Sequence, residues 1–112
     1  MASVLDDGGV AAQPGTSNLI PYVHVADLAR SIDFYELLGF TLEQTHAADG
    51  VTVWASMRNT ESRIFLILAD APIDAGAQAV QFYLWTADVV GLREHLLANR
   101  IPVRPIIHPP YM

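Results

Sequence analysis

The stretch Leu19–Phe40, LIPYVHVADLARSIDFYELLGF, decides how the rest of the chain is read. It opens as a strand: Val23 and Val25 alternate with Tyr22 and His24, and Pro21 suits a strand start or edge. Asp27 follows as a helix N-cap, its carboxylate placed to accept from the first unpaired N–H groups. Leu28, Ile32, Tyr35 and Leu38 then form one apolar stripe at the helical period. Gly39 supplies a left-handed stop, and Phe40 is placed to fold back on the last turn.

The same plan returns 61 residues on, in AVQFYLWTADVVGLREHLLANRI, residues 79–101. Ala26-Asp27 corresponds to Ala87-Asp88, Tyr22 to Tyr83 and Leu28 to Val89; Tyr35 corresponds to Leu96 and Phe40 to Ile101. The repeat rests on pattern more than on identity, and it predicts two strand–helix units.

A chain of 112 residues makes one domain with a small core. Hydrophobic residues at 52% and charged residues at 16% specify a globular chain rather than a disordered one. With no cysteine there is no disulfide framework, thiolate metal site or cysteine nucleophile. A formal charge of −6 argues against nucleic acid, which needs a basic footprint, and mildly favours a cationic or neutral ligand. No apolar run approaches the roughly 18 residues of a membrane span. The N-terminus lacks a basic start and apolar core, so the expected location is cytoplasmic.

Taken in order, residues 1–18 read as a flexible tail rich in Gly, Ala, Ser and Asp. Unit one, 19–70, continues past its helix with a short strand at Thr41–Thr45 and a turn at Ala47–Gly50. A strand at Val51–Met57 and a buried strand at Arg63–Ala69 complete it. Residues 71–78, with Pro72 and Gly76, are the linker. Unit two, 79–112, has its strand, its helix and a strand at Val103–Ile107, then the loop His108-Pro109-Pro110-Tyr111. Met112 corresponds to the start of the third strand of unit one, so two strands of unit two are lacking. Either the unit is short or the sequence is a piece of a longer one.

Two such units resemble the vicinal oxygen chelate superfamily, which includes glyoxalase I, extradiol dioxygenases, and fosfomycin- and bleomycin-resistance proteins. The residues that carry the resemblance are Ile20-Pro21-Tyr22-Val23, Val25-Ala26-Asp27, Ser31, Phe34-Tyr35 and Leu38-Gly39-Phe40. In unit two they are Gln81-Phe82-Tyr83-Leu84, Ala87-Asp88 and His108-Pro109-Pro110-Tyr111. The opening IPYV and the strand QFYLWTAD look most like the bleomycin-resistance branch. The resemblance implies an α+β fold of paired βαβββ modules, each curling its sheet into a half-barrel that lines a pocket, and paired subunits. The usual closing pair of strands, with its acidic-Pro-Asp-Gly turn, is not present. The positions that hold metal ligands in metal-using members fall here at Ile20, Ile67 and Phe82, none of which has a lone pair to offer. No metal or other cofactor is expected.

Strand parity points Tyr22, Phe65, Phe82 and Thr86 into the half-barrel, with Tyr83 and Trp85 against a helix. His24 shares the parity of Tyr22 and reads either as an interior hydrogen-bonded histidine or as a ligand contact. Trp54 on its strand, and His108 and Tyr111 in the closing loop, complete the candidate ligand-binding set. The aromatics read equally as core packing. His46 and His95 read as turn and helix-surface residues. Arg58, Arg63, Arg93, Arg100 and Arg104 read as scattered surface charges, and Glu36, Glu43, Glu61 and Glu94 as helix-face or turn residues. No catalytic triad or paired acid site is visible.

Three functions follow. The first is a non-catalytic, dimeric binder that sequesters a planar or amphipathic small molecule in an aromatic pocket. The second is a metal-dependent lyase, isomerase or dioxygenase with unconventional ligands such as His24 and His108. The third is an inactive fragment.

Overall fold

A computed structural model describes residues 14–77 and 80–108 of the chain. Its central feature is a parallel pair: β1 (Tyr22–Val25) lies beside β4 (Arg63–Leu68), with Tyr22 opposite Phe65 and Val25 opposite Leu68. Parallel neighbours cannot be joined by a tight turn. The crossover here is α1 (Leu28–Leu37) followed by the hairpin of β2 (Thr41–Ala48) and β3 (Val51–Arg58). The four-stranded sheet has the order β1-β4-β3-β2, and a second helix, α2 (Val89–Ala98), follows in chain order.

Local signals set the turns. The β2–β3 loop is Asp49-Gly50 alone, both at positive φ (52° and 77°), the mirror-image geometry that matches strand twist. The turn is therefore shorter than predicted, and Ala47 and Ala48 belong to β2. Asn59 closes the β3–β4 turn, its Oδ1 accepting from the N–H of Ser62 at 2.7 Å.

The two helices repeat each other in register 61 residues apart. Asp27 Oδ1 accepts from the Arg30 N–H at 3.1 Å, and Asp88 Oδ1 accepts from the Gly91 N–H at 2.8 Å. At the far end the Gly39 N–H donates to the Glu36 carbonyl and the Phe40 N–H to that of Tyr35, both at 3.0 Å, while the Tyr35 and Phe40 rings meet edge-on at 5.6 Å. The same pair of bonds ends α2, from Arg100 to Leu97 and from Ile101 to Leu96. Gly39 takes the left-handed position at φ 94°; its counterpart Arg100, at 65°, holds it at a cost of roughly 1–2 kcal/mol.

The core lies on one face of the sheet. Leu28 and Phe40 pack over Ala55, Met57, Ile64 and Leu66, and Val23, Val25, Ile32, Tyr35, Leu38 and Leu68 border them. All four residues of the predicted helical stripe are therefore in contact with the core. Burial beneath this cover pushes the Tyr35 phenol above its ordinary value.

On the opposite face Glu43 ties three strands together. Glu43, two residues on from Thr41, lies on the same side as Thr41's partner Arg58 and reaches β3 and β4. Its Oε1 accepts from Arg63 Nε at 2.7 Å and from Ser56 Oγ at 3.0 Å, and its Oε2 from Arg63 Nη2 at 3.1 Å. The Arg63 hydrogen bond is the main cause holding the Glu43 carboxyl below its usual range. Glu43 is thus a strand residue in an ionic cluster, not the helix-face or turn residue expected.

Unit two departs from expectation. Residues 80–86 and 103–107, both predicted as strands, belong to no ladder among the described residues, and a strand's backbone groups need a neighbour. Tyr83 and Trp85, expected against a helix, are 88% and 87% exposed. α2 makes no extensive contact with the sheet. Leu96 is its buried residue, and Arg93 Nε donates to the Arg104 carbonyl at 3.2 Å.

Gly39→Ala is expected to cost about 1 kcal/mol in urea unfolding, because a side chain meets no atom within 4 Å there and only the left-handed backbone opposes it. Glu43→Gln is expected to lower stability at neutral pH. With its native pKa depressed, Glu43 contributes fully above its unfolded value of about 4.3, and the contribution is lost as pH falls through the native value. Denaturation midpoints of wild type and variant should therefore converge in acid. A gap unchanged from neutrality down to about pH 2 would overturn the ion-pair account.

Candidate functional site

The face of the sheet opposite α1 is built by strand alternation. Residues of β1, β3 and β4 that do not enter the core point to it: Tyr22 and His24, then Trp54, Ser56 and Arg58, then Arg63, Phe65 and Ile67. Register brings them together across the chain. Tyr22 and Ser56 flank Phe65, while His24 and Trp54 flank Ile67. The Trp54 and Phe65 rings meet at 5.2 Å with planes 62° apart, and Tyr22 meets His24 edge-on at 5.7 Å. Both are favourable edge-to-face geometries.

Four of the candidate residues, Tyr22, His24, Trp54 and Phe65, therefore share one surface. Tyr22 is 54% exposed and His24 is exposed too, so His24 is not the interior histidine that was one of its two expected readings. The others lie apart. Phe82 lines a cavity of about 630 Å³ with Tyr35, Phe40 and Ile64 from the helix side and Arg58 and Arg63 from the opposite one. The cavity sits at the β3–β4 end of the sheet, where residues 82–84 cross it. Thr86 Oγ1 accepts from the Asp88 N–H at 3.2 Å and so serves the start of α2. His108 is exposed beyond α2, and Tyr111 lies outside the described residues. A second hollow, about 450 Å³, lies beside Asp27, Leu28 and Ile32 on the helix side. There the Asp27 carboxylate already occupies the helix N-terminus.

Sequence reading missed the polar half of the face. Arg58 and Arg63 are direct cross-strand partners, Glu43 bridges them, and Ser56 is buried beneath. His46, expected in a turn, is in β2 opposite Trp54. Parity was the available signal: Arg58 and Ser56 step by two from Trp54, as Arg63 does from Phe65. Glu43 steps by two from Thr41, the partner of Arg58, and so shares that face.

The face does not fit a divalent metal held at the positions the resemblance implies. Ile67 occupies its middle, Ile20 precedes β1, and Phe82 is an aromatic at the cavity. None offers a lone pair. Among the described residues no three His, Asp or Glu side chains converge.

No helix among the described residues is long and apolar enough to cross a membrane. No curated protein sequence matches the chain. The fold is similar to that of a bleomycin resistance determinant encoded on the transposon Tn5, with a TM-score of 0.60 at 18% identity. The match covers 84% of this chain and 73% of that one. Residues 20–112 match the Glyoxalase/Bleomycin resistance protein/Dioxygenase superfamily. With a match of that extent, on an α+β fold whose open four-stranded sheet carries one helix-free face, the chain belongs to this superfamily.

Proposed function

We propose that the protein is a non-catalytic binder that holds a planar or amphipathic small molecule against the aromatic strip of its helix-free face. One observation carries the reading: the β1–β4 pairing sets Tyr22 beside Phe65, with the Trp54 ring on the other side of Phe65's strand. Exposed Tyr22 and the half-buried rings of Trp54 and Phe65 give a flat ligand apolar area with little loss of side-chain freedom. Aliphatic and aromatic residues at Ile20, Ile67 and Phe82 support binding rather than metal-assisted chemistry. The similarity to a bleomycin resistance determinant is consistent with sequestration.

We also infer a cytoplasmic homodimer. Among the described residues no strand lies beside 80–86, which expose Val80, Tyr83 and Trp85, a surface that a second copy would cover. In this reading the units run 19–70 and 79–112 behind a tail of 1–18, and the partner shields the second. His108 and Tyr111 would approach the ligand from the closing loop, with Phe82 and Thr86 on the extended segment before α2.

The neutral probe 2-naphthalenemethanol, followed by amide and indole N–H shifts, tests the binding surface. It is expected to move the Trp54 indole signal, and Trp54→Ala should weaken binding about tenfold, or 1.4 kcal/mol. His24→Ala should change affinity less than threefold. Shifts confined to Trp85 would overturn the site. Sedimentation across a hundredfold dilution tests the assembly: a dimer near twice 12.2 kDa is expected. A stable monomer with cooperative unfolding would sink it.

A further inference from the structure

The charges on the helix-free face run against those of the whole protein. The chain carries −6, which alone favours a cation. On the face itself the strand residues with fixed charge are Arg58, Arg63 and Glu43. The two arginines stand directly opposite each other in an antiparallel ladder, an arrangement that repels. Glu43 neutralises one of them. It takes two hydrogen bonds from Arg63, at 2.7 and 3.1 Å, and only a long 3.8 Å approach from Arg58. Arg58 is left 60% exposed, with no hydrogen bond closer than that ion pair among the described residues.

This leftover cation is close to the rings. Phe65, paired with Ser56, sits two ladder steps from the Arg58–Arg63 pair and on the same face. Two residues along a strand span roughly 7 Å, about the distance from the far edge of a bicyclic ring to an acid group on it. Arg58 and Arg63 also line the 630 Å³ cavity at that end, leaving room for the ligand beside the guanidinium. Glu61 lines the same cavity from the connecting turn, but it is exposed and makes no ion pair with either arginine among the described residues.

We propose that the binding face takes a planar aromatic acid, its ring system against Phe65 and Trp54 and its anionic group on the Arg58 guanidinium. The inference deepens the binding role above and rests on it. A carboxylate would receive the fork of N–H donors that Glu43 leaves unused on Arg58, and it would relieve the repulsion between the two arginines. A cation on the same rings would meet that repulsion instead.

Matched probes on one ring system separate the two readings: 2-naphthoate, 2-naphthylmethylammonium and neutral 2-naphthalenemethanol, titrated into the full chain at low salt. With the Trp54 indole shift as readout, the naphthoate is expected to bind about tenfold more tightly than the ammonium, with the alcohol between them. Arg58→Gln should reduce that preference to under threefold while leaving the alcohol unchanged, and added salt should erode it. Glu43→Gln, which frees Arg63, should raise naphthoate affinity. If the ammonium binds as tightly as the naphthoate or more so while the alcohol still moves Trp54, the acid proposal is overturned and the binding face stands. If none of the three moves Trp54, both fall together.

Discussion

The parallel ladder between β1 and β4 is the constraint on which the rest depends. It joins residues about forty apart in sequence, Tyr22 with Phe65 and Val25 with Leu68. Such a pairing is closed only after everything between has folded compactly enough to return the chain. The intervening parts each have a local stop: the Gly39 cap, the Asp49-Gly50 turn and the Asn59 turn. With those three in place β4 has one route back. Its alternation then puts Ile64 and Leu66 under α1, and Arg63, Phe65 and Ile67 on the other side.

Unit two shows what happens to the same local plan without that ladder. Its helix begins on Asp88 and ends between Leu96 and Ile101, with hydrogen bonds that duplicate those of α1. Helix ends are satisfied by neighbours in sequence, so they form wherever the residues occur. Strands are not self-sufficient. Residues 80–86 hold as many strand-favouring side chains as β1, yet no described segment lies alongside them. Strand propensity alone does not make a strand there, and among the described residues no neighbour pairs with it.

The same division explains how much was legible in the sequence. The caps at Asp27 and Asp88, the stop at Gly39 and the stripe Leu28, Ile32, Tyr35, Leu38 were readable because each is a short-range pattern. The face shared by Tyr22, His24, Trp54 and Phe65 was partly readable, since parity fixes a side chain's direction within one strand. Which strands would lie next to each other was not, and so the meeting of Arg58 with Arg63 stayed hidden. Glu43 was hidden for the same reason. Alternation from Thr41 sets it on the Arg58 side of β2, but its meeting with Ser56 and Arg63 depends on which strands adjoin.

The core and the proposed binding surface lie on opposite sides of one sheet. The buried apolar residues of unit one lie on the α1 side, and Ser56 is the buried residue of the other. Side chains on the helix-free face are therefore only weakly constrained by packing. Two arginines directly opposite each other are a poor choice for folding alone, since an oppositely charged pair there would stabilise the ladder. A local rule broken at a ring-lined face, and only half repaired by Glu43, is where a sequence departs from its own folding interest. In the proposed reading, the charge that Glu43 leaves uncompensated on Arg58 is what that departure serves.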